Sequence, residues 1–266
     1  MSDRTALSAL VVAHNEEHDL PACLASLTFA DEIVVVLDRC TDGSRAIATQ
    51  AGARIIEGAW PIEGPRRHAG IDACRGPWIL EVDADERVPP ALAAEIRSAI
   101  TKAPSGALLI PFANYIGERL IRHGWGAYNG VSGKYCLFTR GAKRWSEARV
   151  HPGITITGAR GFLSNPMEHR VDRNLTEFFA RLNRYTDLHA KDLVEQGKAP
   201  NGWASARRVL SRTWKSYVAR KGYREGFYGV ALALFSGLYP FFLYLKAREL
   251  EESLGGSAQS RGQAIE

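Results

Sequence analysis

The stretch ILEVDADERV, residues 79–88, sets an apolar run against three carboxylates within four positions, Asp83, Asp85 and Glu86. Ile79, Leu80 and Val82 read as a strand buried on both faces, and the acids mark its end. A polar turn capping a helix at Pro89-Pro90 explains Asp-Ala-Asp-Glu taken alone. Its neighbours in sequence argue for more. Leu7 to Ala13 is a second Val-rich run, which breaks into His14-Asn15-Glu16-Glu17 and then a helical pattern through Leu20, Cys23, Leu24 and Leu27. Ile33 to Leu37 is another buried strand and ends at Asp38, after which Asp42-Gly43-Ser44 opens a helix. A short strand at Arg54 to Ile56, a helix over 65–75 and a fourth strand from Trp78 to Val82 complete the pattern.

Continuous apolar strands alternating with helices require a parallel sheet covered on both faces, so residues 5–112 are expected to form a doubly wound, Rossmann-like α/β unit. Ligands of such sheets bind beyond the carboxyl ends of the strands. His14-Asn15-Glu16, Asp38 and Asp83/Asp85 all fall at those ends, from three strands. On an extended segment positions i and i+2 share a side, so Asp83 and Asp85 are expected to face one hard cation such as Mg2+ or Mn2+.

The 266 residues, 45% hydrophobic and 24% charged, suffice for a large core with an appendage. Four isolated cysteines, with neither zinc-site nor disulfide spacing, fit a reducing compartment, and the N-terminal apolar run is too short for a signal peptide. The motifs G-x-G-x-x-G and G-x-x-x-x-G-K-[ST] are absent, which argues against a dinucleotide-dependent oxidoreductase or a P-loop NTPase. His14 to His18 matches H-x-x-E-H, the inverted zinc-protease pattern, but at a strand-to-helix transition where the two histidines do not share a helical face.

Three segments, VVAHNEEHDLPACLASL (11–27), ADEIVVVLDRCTDGS (30–44) and GPRRHAGIDACRGPWILEVDADE (64–86), together resemble the GT-A domain of glycosyltransferase family 2. NYIGERLIRHGWGAY, LFTRGAKRWSEARVHPG and LNRYTDLHAKDL further resemble the bacterial branch that includes lipopolysaccharide inner-core β-glucosyltransferases. The resemblance spans about 7–195 and implies an inverting, metal-dependent transfer of a hexose, glucose by preference, from a UDP-sugar to a lipid-linked glycan. It implies Ala13, Asn15 and Glu16 against the nucleoside, Asp38 on the base, Arg67 in the donor-binding helix, Asp83 on donor and metal, and Asp85 and His169 as further metal ligands. The chain departs from the family at two places. His68 stands where relatives often carry Asn, and Pro152 follows Val150-His151 where the lipopolysaccharide enzymes commonly read V-H-E. Inversion needs one base at the acceptor hydroxyl, and Glu147 is the first candidate and His151 the second.

The organisation expected is a GT-A domain over 5–170, with a donor half (5–112) and an acceptor half (113–170), then a helical region over 171–254 and a flexible tail over 255–266. Arg207 to Arg224 holds seven basic residues and no acidic one, interleaved with Val209, Leu210, Trp214, Tyr217 and Val218, and reads as a cationic amphipathic helix suited to anionic lipid. Residues 226–245 are uncharged, and a straight helix of that length spans roughly 30 Å. Gly229, Ser236-Gly237 and Pro240 favour a bent helix or shallow hairpin in the interface over a simple span. The partners expected are therefore a UDP-sugar, a lipid-linked glycan and the anionic cytoplasmic face of the inner membrane, with peripheral or monotopic attachment and no nucleic acid. Two rival functions share the paired carboxylates: a sugar nucleotidyltransferase, and a non-catalytic membrane-bound carbohydrate-binding protein.

Overall fold

A computed structural model describes residues 6–127, 133–147, 152–198 and 200–262. The chain divides into two compact units, Met1–Ala113 with Val131–Arg170, and Asn114–Gly130 with Val171–Glu266. The segment 114–130, expected in the acceptor half of the catalytic domain, is thus grouped with the C-terminal helices.

The first unit opens with β1 (Leu7–Ala13), α1 (Leu20–Ser26), β2 (Glu32–Asp38), α2 (Ser44–Gln50), β3 (Arg54–Gly58), α3 (Glu63–Ala73) and β4 (Trp78–Asp83). The order β3-β2-β1-β4 is parallel throughout, as the alternating pattern requires. All seven residues of β1 are buried, and they alternate between two layers. Leu10 and Val12 pack with Val34, Val36, Ile79 and Ile71, the last from α3. Leu7, Ala9 and Val11 pack on the other side with Leu20 and Leu24 of α1 and with Leu80 and Val82. Burial of each Leu, Val or Ile among them contributes about 1.5–3 kcal/mol. A Cβ on Gly70 would collide with Leu10 and Val36, so α3 crosses the sheet at a distance only glycine allows.

β5 (Glu86–Arg87), α4 (Pro90–Lys102), β6 (Gly106–Ile116), β7 (Arg119–Leu120), β8 (Gly133–Thr139), β9 (Lys143–Trp145), β10 (Ile154–Ile156), β11 (Ala159–Phe162) and β12 (Met167–Asp172) follow. β8 joins β4 antiparallel and β6 joins β8 antiparallel, so the sheet turns mixed where the βα repeats stop. β9 and β10 form a separate antiparallel pair. All four cysteines are free thiols.

The second unit is built on α5 (Leu175–Glu195), α6 (Gly202–Trp214) and α7 (Phe227–Gly262). Asn174 caps α5 by accepting the Glu177 N–H, and Asn201 does the same for α6 with Ala204. The cationic stretch 207–224 is not one helix. After α6 the backbone widens into a π-helical turn over Lys215–Ala219, Lys221 takes φ +58°, and a 3-10 turn over Gly222–Glu225 redirects it. The hydrogen bonds that end the helix are local: the Arg220 N–H donates to Lys215 O and the Lys221 N–H to Val218 O. Beneath them the buried Glu225 carboxylate accepts the Arg122 and His123 N–H groups. Nor do 226–245 bend back as a hairpin; α7 runs continuously through Pro240 to Gly262 and so also passes Gly255, where a flexible tail was expected. Its length is supported by packing on two sides, Phe235 against Phe178 and Phe179 of α5, and Gly237 against Val209 and Thr213 of α6.

Candidate active site

Parallel strands deliver their carboxyl ends to one edge of the sheet, and the polar residues singled out in the sequence stand there. Ala13 is buried as the last residue of β1. Asn15 follows with φ +58°, and its Oδ1 accepts the Thr41 N–H at 2.8 Å. The Glu16 N–H donates to Ser44 Oγ (3.0 Å), and Glu17 Oε2 accepts the Gly43 N–H (2.8 Å), so the loop after β1 is tied to the loop after β2.

Asp38 is fully buried. Its Oδ1 accepts from Arg39 Nε (2.9 Å) and the Trp60 N–H (3.0 Å), and its Oδ2 from Arg39 Nη2 (2.9 Å) and Arg66 Nη1 (3.1 Å). Burial alone would raise its pKa, but these donors hold the carboxyl below its ordinary range. Arg66 keeps one buried donor, Nε, without a hydrogen-bond partner.

From β4 a chain of ion pairs runs toward the site. Glu81, buried in the strand on the α3 side, takes Arg67 Nη1 on one oxygen and Lys143 Nζ on the other, both at 2.7 Å. Arg67 Nη2 continues to Asp83 Oδ1 (2.8 Å), and Lys134 Nζ of β8 reaches Asp83 Oδ2 (2.8 Å) and Glu86 Oε1 (2.9 Å). Burial opposes ionisation of Asp83, yet the two cations hold its pKa well below the carboxylate range. Burial likewise opposes a charged Lys134, and the Asp83 and Glu86 carboxylates outweigh it and raise the Lys134 pKa. The alternation expected to align Asp83 with Asp85 ends with the strand, because Ala84 and Asp85 form a turn before β5. Asp85 instead meets His169 of β12, Oδ2 to Nε2 at 3.4 Å. The antiparallel pairing of His169 with Glu86 fixes that approach.

Asp85, Glu86 and His169 each present a ligand atom within 4.8 Å of the others. Two carboxylate oxygens and an imidazole nitrogen are a donor set that fits a divalent cation. Glu86, noted in the sequence without a role assigned to it, stands in this group, while both oxygens of Asp83, expected as a metal ligand, are held by cations. Burial and the neighbouring Asp83 charge push the Glu86 pKa up to about 7. Glu16 is likewise raised to about 7, first by burial and then by the Asp85 charge. Burial works against a charged His169, but its hydrogen bond to Asp85 outweighs that and raises its pKa. Four carboxylates, Glu16, Asp83, Asp85 and Glu86, therefore share an electrostatic field that a cation would relieve.

The indole of Trp145 in β9 lies under the Arg67 guanidinium at 5.0 Å, and its Nε1 donates to Glu81 Oε2 at 3.3 Å. His68 joins the same contact, its Nε2 accepting the Trp145 N–H at 3.3 Å. Glu147 is exposed two residues past β9, on a loop closed at its base by reciprocal hydrogen bonds between Ser146 and Gly153. His151 lies outside the described residues.

A family model for glycosyl transferase family 2 matches residues 8–162, more than half of the chain and all the site elements up to β11. The chain belongs to glycosyl transferase family 2. A Rhizobium meliloti protein named lipopolysaccharide core biosynthesis glycosyltransferase LpsC is 30% identical over 253 residues, covering 88% of this chain and 87% of its own. An uncharacterized glycosyltransferase of Rickettsia bellii is 24% identical over 269 residues, covering 96% and 90%. Among solved structures, glucosyl-3-phosphoglycerate synthase from Mycobacterium tuberculosis, in complex with Mn2+, UDP and glucosyl-3-phosphoglycerate, is 20% identical with a TM-score of 0.36, covering 41% of this chain and 44% of that one. The protein is thus a glycosyltransferase, and the nucleotidyltransferase and binding-protein readings fall away. Lys134 and Arg66 carry no signal of a site role in the sequence beyond the position of Arg66 next to Arg67, and Glu86, which closes the D-A-D-E run, is noted there without a role.

Proposed function

We propose that this family 2 glycosyltransferase moves a hexose, glucose first, from a UDP-sugar to a lipid-linked glycan such as lipopolysaccharide core, inverting the anomeric centre, at the cytoplasmic face of the inner membrane. One observation carries the reading: Glu16, Asp38 and the Asp83–Glu86 cluster converge at the carboxyl ends of β1, β2 and β4, with His169 closing the group. Asp85, Glu86 and His169 would hold Mg2+ or Mn2+, which, when bound, offsets the charge that builds on a departing diphosphate. Arg67 and Lys134 keep two positive charges on Asp83, and Lys134, the more exposed of the two, would reach donor oxygens. Ala13, Asn15 and Asp38 would line the nucleoside, where Arg39, exposed beside Asp38, must yield for the base to reach that carboxylate. Glu147 accepts the acceptor hydroxyl proton; His151 is the alternative base. The name of the Rhizobium relative supports a lipopolysaccharide-type acceptor.

Incubating the purified protein and Mn2+ with UDP-glucose, UDP-galactose or UDP-N-acetylglucosamine and a detergent-dispersed lipid extract tests this by mass spectrometry. The expected product is a lipid heavier by one hexose with UDP-glucose; no mass gain with any donor overturns the reading.

A further inference from the structure

Gly202 of α6 packs on the Tyr244 ring of α7, and Val209 and Thr213 pack on Gly237, so the two helices run antiparallel. One residue after each α6 contact comes a solvent-facing apolar side chain: Trp203 is 81% exposed, Leu210 76% and Trp214 65%. On α7 the buried Ala233 is followed by Leu234, and Tyr244 by Leu245, each 46% exposed. In an antiparallel pair, positions displaced in the same sense from the contact line project to the same side. These five residues therefore form one apolar face with a tryptophan near each end of α6. Arg207, Arg208, Arg212, Lys215, Lys221 and Arg224 are exposed along the same segment, and residues 201–224 contain no Asp or Glu.

α7 is long and apolar enough to cross a membrane by composition, with 39% of its apolar window buried. Its environment opposes that placement. The other flanks of α7 are covered by α5 and α6, and Lys246 Nζ is bound to Asn183 O, Thr186 Oγ1 and the Asp187 carboxylate. A spanning α7 would draw these charges and the α6 arginines into hydrocarbon.

We propose that the side of the α6/α7 pair bearing Trp203, Leu210, Trp214, Leu234 and Leu245 seats on an anionic bilayer surface, with α7 lying along the interface rather than crossing it. This rests on the membrane placement proposed above and names the surface and lipid charge that achieve it. The tryptophans enter the headgroup boundary while Arg207, next to them on α6, meets lipid phosphates and the other exposed cations add long-range attraction to the anionic surface.

Flotation of the full-length protein with phosphatidylglycerol-containing and pure phosphatidylcholine vesicles tests it, without donor or acceptor, so failure here leaves the transferase reading standing. Wild type is expected to float with the anionic vesicles, to be extracted by alkaline carbonate, and to lose partitioning by about tenfold or more in the Trp203→Ser/Leu210→Ser/Trp214→Ser and Arg207→Glu/Arg208→Glu variants. Circular dichroism verifies that the variants fold; quenching of wild-type tryptophan fluorescence by shallowly brominated lipid gives a reading without substitution. Wild type that stays off anionic vesicles, resists carbonate, escapes quenching, or is matched by folded variants would overturn the proposal.

Discussion

At the scale of single residues, Asp83 and Glu86 show how neighbouring carboxylates acquire different states. Asp83 touches two cations and stays ionised, whereas Glu86, buried and beside that negative charge, titrates near pH 7. Below about 4.5, its ordinary value, Glu86 is protonated in both folded and unfolded chains; between there and 7 only the folded chain retains the proton. Metal-free stability contributed by this group therefore falls as pH rises across that window and levels off above it, and Glu16 acts in the same direction. Thermal melts in chelator from pH 4.5 to 8 should show that decline, flattened in Glu86→Gln. Metal affinity takes the opposite sign, because the ligand is the carboxylate: Mn2+ binding measured calorimetrically should strengthen through pH 7 with proton release. Glu147→Gln is expected to lower kcat by about 10²–10⁴-fold with the donor KM unchanged, as loss of a general base requires. An unchanged kcat would move the role to His151.

At the scale of elements, the strands and helices of the βα repeats were legible because each apolar run is bounded by polar residues that end it; β1, β2 and β4 begin and end within a residue or two of the expected positions. Pairings distant in sequence were not legible. Nothing in GKYCLFT announces that Lys134 crosses to Asp83, and Glu81 reads as an oddity in ILEV until Arg67 and Lys143 stand on either side of it. The fate of 207–224 was hidden for a similar reason: charge periodicity suggests one helix, but Glu225, buried and bonded to backbone at 122 and 123, sets where the chain turns. Arg67 ties α3 to β4, so Arg67→Met leaves Glu81 and Asp83 short of a cation in a buried setting. The expected loss is about 3–5 kcal/mol of unfolding free energy, read by urea denaturation. A loss under about 1 kcal/mol would mean that Lys143 and Lys134 suffice to balance both carboxylates.

At the scale of the molecule, the chain combines a family 2 catalytic unit with a helical unit that carries a different surface chemistry. Residue types suggested the division, since the D-A-D-E run and the other strand-end carboxylates lie in the first and the acid-free basic stretch 207–224, interleaved with apolar residues, in the second. Its exact line, with 114–130 belonging to the helical unit, depends on folding rather than on composition. The proposed function stands or falls with the cluster after β4 acting as a metal-dependent nucleotide-diphosphate site. Calorimetric titration of UDP into the wild-type protein and into Asp85→Asn, each with Mn2+ and with chelator, tests it most directly. Wild type is expected to bind UDP with Mn2+, and at least about tenfold more weakly on chelation or in Asp85→Asn, the scale on which removal of a metal-site group is felt. UDP binding of equal strength under all four conditions would contradict it.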